Sequence, residues 1–380
     1  MGVNEHKKNI CFVTGTRADF GKLLPLARAA QSGGFGTSFF VTGMHMLDEY
    51  GATRLEVQKS FFGNMHSFVN QRFGDHPNDV FIKTQQGFAD FIAANPHDLV
   101  VVHGDRVEAF AVALSCNFFG VRCAHIEGGE VSGTIDEAFR HCVSKLAHRH
   151  FVANADAAAR VGQLGEAAKH IYNIGSPEVE LHLSVKDTLL PEALNHYNLS
   201  DADFGICIFH PVHAEQSENR KLATAILSAI NETGRHFILI KPNNDLGASE
   251  IESVIREFAS PKITILPSMR FEYFSAILRA AKIVVGNSSL GVREAPIFGI
   301  ASVDVGSRQS GRVQGDSITH LSKPSAEELT DCIRSLWGIR FNPSLKFGDG
   351  SASKRFVTVL KSNEFWVGST QKSFVDMRQD

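Results

Sequence analysis

The sequence lacks the marks of several large functional classes. No apolar run in its 380 residues approaches the roughly 20 needed for a membrane-spanning helix. Charge is nearly balanced, with 38 Lys and Arg against 41 Asp and Glu and a net charge of −3. That removes the electrostatic case for nucleic acid or an anionic membrane surface as a partner. The six cysteines (Cys11, Cys116, Cys123, Cys142, Cys207, Cys332) show no CxxC spacing. Most lie in apolar stretches, so buried free thiols in a reducing cytoplasm are expected. His141, His148 and His150 cluster, but 17 histidines make chance clustering common and no HExxH or Cys/His set accompanies them, so no metal is expected. With neither a P-loop nor a GxGxxG, ATPase and dinucleotide readings are weak. The polar stretch Met1 to Lys8 gives no sign of a secretory leader. Internal repeats and low-complexity segments are absent.

What is present is a regular alternation of strand and helix patterns. In the first half, strands are expected at Asn9–Thr14, Ser38–Thr42, Asp98–His103, Arg122–Ile126, His150–Ala153 and Ile171–Gly175, with helices at Gly21–Ala30, Phe81–Ala94, Val107–Phe119 and Ile135–Ala147. Asp98–His103 is apolar on both faces, as a central parallel strand should be. The second half repeats the rhythm, with strands at Gly205–Phe209, Phe237–Ile240, Ile263–Leu266, Lys282–Val285 and Ala301–Val305, and helices at Glu218–Thr233, Glu250–Phe258 and Phe271–Ala281. Two βαβ series of similar size imply an α/β protein of two doubly wound, Rossmann-like domains. The expected division is 1–177, 178–355, and a helical tail 356–380 (helices at Lys354–Leu360 and Gln371–Met377) packing back on the first domain.

In open parallel sheets, ligands gather beyond the carboxyl ends of the strands. Here those ends are charged, and all are expected to face one interdomain cleft. The first half offers Arg17, Lys22, Asp105, Arg106, Glu127, Asp136 and Glu137; the second offers His210, Asn243, Ser288, Ser289 and Arg308. The strand–turn–helix at 282–296 points unpaired N–H groups and two serine hydroxyls at a diphosphate, with Glu294 placed for a ribose hydroxyl. Paired carboxylates suit proton transfer, and cations beside them suit a leaving group gaining negative charge. Each item also has a plainer reading. Arg17 and Lys22 fit a solvated helix face, Asp105-Arg106 a local ion pair, Asp136-Glu137 a favoured helix start, and Ser288 an N-cap.

The segments Val13–Leu23, Val41–Met46, His103–Ala109, His125–His148, His210–Val212, Arg270–Phe274 and Gly286–Pro296 closely resemble the hydrolysing UDP-N-acetylglucosamine 2-epimerases of sialic acid biosynthesis. The similarity runs from about residue 9 onward. The run His125-Ile126-Glu127-Gly128-Gly129-Glu130-Val131-Ser132-Gly133-Thr134-Ile135-Asp136 is highly specific to that group. The resemblance implies the two-domain GT-B fold and conversion of UDP-GlcNAc to N-acetylmannosamine and UDP without cofactor. It implies that Ser288, Ser289 and Arg308 hold the diphosphate, with Arg17 and Arg106 facing it, that Glu294 holds the ribose, and that Asn243 and Phe271 lie near the uridine. Asp105, Glu127, Asp136 and His210 match family active-site positions, with Lys22 beside them. A homodimer or homotetramer is implied by analogy. Alternatives are the same reaction on a UDP-2,4-diacetamido-trideoxy sugar, a non-hydrolysing epimerase, a glycosyltransferase, and a non-catalytic UDP-sugar sensor.

Overall fold

The computed structural model describes residues 7–48, 51, 53–61, 63–132, 135–199, 203–212, 216–242, 247–373 and 375–376. The chain divides into two units. One is formed by 1–130, 135–181 and 347–380, the other mainly by 182–346. The dividing points differ from the expected 177/178 and 355/356. The helix Pro177–Ser184 runs on past the expected joint, and Glu180 accepts from both the backbone N and Oγ of Ser353. Ser176 N also donates to the Phe347 carbonyl at 2.6 Å. These bonds hold 347–355 to the first unit.

The first unit carries seven strands: β1 (Asn9–Thr14), β2 (Gly36–Val41), β3 (Asn64–Ser67), β4 (Leu99–His103), β5 (Arg122–Ile126), β6 (Arg149–Val152) and β7 (Ile171–Asn173). Their order is β3-β2-β1-β4-β5-β6-β7, all parallel. β1 shows why the sheet is buried on both sides. Ile10 and Phe12 join the core on one face, while Cys11 and Val13 join that on the other. The second unit carries β8 (Phe204–Ile208), β9 (His236–Ile240), β10 (Ile263–Leu266), β11 (Val284–Gly286), β12 (Ser302–Val305) and β13 (Ile318–Leu321), in the order β10-β9-β8-β11-β12-β13. Here Ile206 and Ile208 face one core and Cys207 the other. Both orders reverse direction once, between β1 and β4 and between β8 and β11. That point is the ligand-binding switch of doubly wound sheets.

The helix expected from Gly21 begins earlier, at Arg17, because Thr16 caps it and accepts from Asp19 N at 3.2 Å. β3 and β13 escape the sequence pattern. Both are short edge strands, and β3 (Asn-Met-His-Ser) has no apolar alternation. Of the tail, Ala352–Leu360 is helical, but the expected helix over 371–377 is absent from the described part, 371–373 and 375–376. The segment is tied to residues upstream. Arg149 donates to the carbonyls of Phe365 and Val367, Arg122 to that of Gly368, and His148 Nε2 lies 2.7 Å from that of Thr370. Lys372 then reaches Glu166 and the Ala147 carbonyl. These side chains anchor 365–372 to the first unit, and residues 371–373 form no helix there.

All six cysteines are free, and Cys11, Cys116, Cys123 and Cys207 are buried; Cys142 is exposed. Among the described residues no helix is long and apolar enough to cross a membrane.

Candidate functional site

Glu127 is the most constrained residue at the first unit's switch. It follows β5, is 3% exposed, and has φ 60°. That left-handed conformation costs a side-chain-bearing residue about 1–3 kcal/mol. The carboxylate compensates. Ser176 Oγ donates to Oε1, while Oε2 accepts from Lys22 Nζ at 3.3 Å and lies 3.1 Å from His103 Nε2. Hydrogen bonds to a charged group contribute about 1.5–3 kcal/mol each, so three of them outweigh the strain. Lys22 also sits 3.2 Å from Glu178.

His103, the last residue of β4, has its other ring nitrogen 3.1 Å from Asp19 Oδ1. Burial pulls its pKa down, but Asp19 and Glu127 together raise it above the usual histidine value. An imidazole donates to two carboxylates only when protonated. Asp19 feels the converse. Burial pushes it up, yet His103, with Arg106 behind it, holds it at about 2. Behind this row, His45 bridges Thr14 Oγ1 (2.9 Å) and Thr53 Oγ1 (2.6 Å), and burial holds it near 4. Gly43 makes this packing feasible. It has φ 64°, and a Cβ there would stand 2.5 Å from the Gly15 carbonyl oxygen.

The other first-unit residues are placed differently. Asp105 pairs with Arg140, which is 4% exposed and also donates to the Glu130 carbonyl at 2.9 Å. Arg140 lies on the helix Asp136–Leu146, whose first residue, Asp136, is exposed; Glu137 faces His141 at 3.7 Å. Arg106 donates to the buried Glu108 at 3.3 Å, and that charge raises its pKa. Arg17 pairs with Glu56 at 2.9 Å, both about half exposed, which is the surface ion pair that the plainer reading allowed.

In the second unit, Asn287 organises the switch. It is 1% exposed. Its Oδ1 accepts from His210 N at 2.7 Å, and its Nδ2 donates to the His210 carbonyl at 2.8 Å. Its own carbonyl accepts from Gln309 Nε2 at 2.9 Å and from Arg308 at 3.3 Å. One buried amide thus joins the ends of β8, β11 and β12. The strands can approach because residue 286 is glycine. Its φ is 134°, and a Cβ would fall 2.0 Å from the Ile208 carbonyl oxygen. Ser288 caps the short helix Ser289–Arg293, its Oγ accepting from Leu290 N at 3.4 Å. Ser289 and Arg308 are partly exposed, and Glu294 is buried at the end of that helix. Burial, and then the Arg308 charge, hold the His210 pKa at about 3, so its imidazole is neutral at neutral pH. Phe271 opens the helix Phe271–Ala280 with its ring 4.9 Å from that of His182. Asn243 lies outside the described residues.

The structure therefore brings Lys22 to Glu127, and Arg308 to the Asn287 peptide that holds His210. It adds residues that the sequence had not singled out for the site: Asp19, His103, Ser176, Arg140 and Asn287. His103 and Asn287 stand at strand ends, the one signal that could have found them. Among the described residues no group of three or more His, Cys, Asp or Glu could hold a metal ion.

The profile of the UDP-N-acetylglucosamine 2-epimerase family matches residues 27–361. Among curated proteins, a UDP-N-acetylglucosamine 2-epimerase of Neisseria meningitidis serogroup B is 39% identical over 97% of this chain and 99% of its own length. A UDP-N,N'-diacetylbacillosamine 2-epimerase (hydrolyzing) of Legionella pneumophila is 31% identical over 93% and 96%. The polysialic acid biosynthesis protein P7 of Escherichia coli is 32% identical over 82% of each. Among solved structures, a UDP-GlcNAc 2-epimerase from N. meningitidis bound to UDP-GlcNAc aligns with a TM-score of 0.78 at 16% identity, over 93% of this chain and 100% of that one. The likeness shows the fold: two Rossmann-like units of the GT-B type.

Proposed function

The chain belongs to the UDP-N-acetylglucosamine 2-epimerase family, and from that premise we propose that it is the hydrolysing enzyme, converting UDP-GlcNAc and water to N-acetylmannosamine and UDP. The observation that carries this reading is Glu127, a buried carboxylate in a left-handed backbone conformation, ringed by Lys22, His103 and Ser176. So constrained an acidic group is what a positioned base requires.

The C2 proton of the sugar is not adjacent to a carbonyl and is not acidic at rest. It becomes acidic as the C1–O bond to UDP breaks and C1 takes on oxocarbenium character. Ser288, Ser289 and Arg308, with Arg17 and Arg106, stabilise the departing diphosphate. A carboxylate takes the C2 proton, the C–H pair becomes the C1–C2 double bond, and 2-acetamidoglucal results. Water then adds at C1 while a proton returns to C2 from the opposite face, inverting that centre. Glu127, Asp105 and Asp136 share these proton transfers. Neutral His210 serves the phosphate as a hydrogen-bonding group rather than as a cation. Glu294 holds the ribose, and Asn243 and Phe271 the uridine. The reaction draws on no redox cofactor. A sialic acid pathway is supported by the likeness to the P7 protein. A cytoplasmic homo-oligomer, dimer or tetramer, completes the reading.

A second reading keeps the chemistry and changes the sugar. The Legionella relative's name specifies a diacetamido substrate. Proton NMR of the purified protein with UDP-GlcNAc in D2O separates these. Free UDP with N-acetylmannosamine deuterated at C2 is expected. UDP-N-acetylmannosamine would mean the non-hydrolysing reaction. An unchanged spectrum with UDP-GlcNAc, but turnover of the UDP-diacetamido sugar, would establish the second reading.

A further inference from the structure

His103 and Asp19 are titratable groups, largely enclosed, that the mechanism above leaves unused. They form a row, Asp19–His103–Glu127, with both contacts at 3.1 Å and the outer ends on different elements: the first turn of the helix Arg17–Ser32 and the turn after β5. His103 leaves the middle strand of the three with its side chain 9% exposed. We infer that Asp19 and His103 act as a positioning pair that holds Glu127 as an oriented carboxylate, ready to accept the C2 proton. This rests on the reading of Glu127 as the base.

The geometry assigns the parts. Two carboxylates flank one imidazole, so the ring donates at both nitrogens when it carries a proton. His103 then brings a positive charge to the same Glu127 oxygen that Lys22 reaches, while Ser176 fixes the other oxygen. Asp19 fixes the ring plane and keeps the proton on it. The base is thereby kept charged and aimed, and transfer of the C2 proton to it neutralises a carboxylate between two cations. Other charged groups face the row. Lys22 comes from the same helix as Asp19, Arg106 from the turn after β4, His125 from β5, and Glu178 from the helix Pro177–Ser184. Lys22 remains beside Glu127 when His103 is removed, so the row's contribution is separable from that of the lysine.

The test is the pH profile of kcat/KM for His103→Gln and Asp19→Asn, run beside the wild type with UDP-GlcNAc. Removing the His103 charge raises the pKa of the base, so the acidic limb moves to higher pH, by about one unit for His103→Gln and less for Asp19→Asn, while the rate on the high-pH plateau falls less than tenfold. A uniform fall at all pH values with no shift of the limb would overturn the inference and leave His103 a structural residue. Should His103→Gln fail to fold, nitrogen-15 NMR of the wild-type histidines decides. One ring, identified by its response to Asp19→Asn, is expected to keep its second proton to a higher pH than an ordinary histidine; a ring that loses it at or below the ordinary value overturns the pairing. Failure of wild-type turnover on UDP-GlcNAc would instead count against the parent reading, so the two failures are distinct.

Discussion

The two units share one strand order and use it for different chemistry. At the β1/β4 switch, side chains of opposite charge interlock: Asp19, His103, Glu127 and Lys22 all stand within 3.3 Å of a partner in the row. At the β8/β11 switch an uncharged amide, Asn287, does the organising through peptide groups, and the nearby histidine is held neutral. The first arrangement sets charges against one another, as the proposed proton transfers would require. The second is built from peptide groups, with the partly exposed Arg308 donating to the Asn287 carbonyl. The fold itself does not choose between these uses, because both sit on the same topology.

The sharpest way to break that contrast is Glu127→Gln. Loss of a positioned base lowers rates by 10²–10⁴-fold, and a fall in turnover of about 10³-fold is expected while UDP affinity stays within about twofold by calorimetry. Near-normal turnover would remove Glu127 from the chemistry. Asn287→Ala should do the reverse. It strands the His210 peptide groups, at about 1–3 kcal/mol for each buried group left unsatisfied, so urea unfolding should show a loss of about 2–4 kcal/mol and UDP should bind at least tenfold more weakly. UDP binding unchanged by this variant would show that the second switch does not form the diphosphate grip.

Acid should then act on both units through buried imidazoles. Burial holds His125 and His210 near 3 and His45 near 4, against 6.5 for an ordinary histidine. The unfolded chain takes up protons below pH 6.5 that the folded chain refuses, so stability is full above that value and is lost as pH falls toward 4. The slope is up to about 1.4 kcal/mol per pH unit for each histidine. His103 works in the other sense, since its raised pKa favours the folded state at low pH and that stabilisation fades as pH rises through it. With His148 and His170 also held near 4, five imidazoles outweigh one, and the melting temperature should fall between pH 6.5 and 5. A flat profile would mean that these imidazoles are charged in the folded protein. The smallest structural effect is expected from Arg17→Ala. Its exposed pair with Glu56 should be worth no more than about 0.5 kcal/mol, whereas a rise in KM of about tenfold would mark a diphosphate contact. No change in KM would leave Arg17 to the surface.

How far the sequence could be read depended on sequence distance. β1, β5 and β10 coincide with the expected Asn9–Thr14, Arg122–Ile126 and Ile263–Leu266, because each is a short strand bounded by turns. Asp105 and Glu127 were visible because they follow β4 and β5, and Asp136 because it opens the next helix. Their partners were not, since Asp19 lies 84 residues from His103, Ser176 49 from Glu127 and Arg140 35 from Asp105. Local pattern carries no information about such pairings. The anchoring of 365–372 was hidden for the same reason, since its partners are Arg122 on β5, Arg149 on β6 and His148 just before β6.

The first unit is discontinuous in sequence, and this orders events during synthesis. Phe356, Leu360 and Phe365 are fully buried in the same core as Phe12, Phe39 and Phe151, and the Phe356 ring lies 4.7 Å from that of Phe151. A ribosome must therefore deliver all of 182–346 before the first unit can close its apolar centre. The unit that holds Glu127 and its partners is completed last, although it begins first. Until then its exposed phenylalanines are open to chaperones and proteases. A chain cut short between residues 294 and 347 would carry every carboxylate of the candidate site on a scaffold that cannot finish folding.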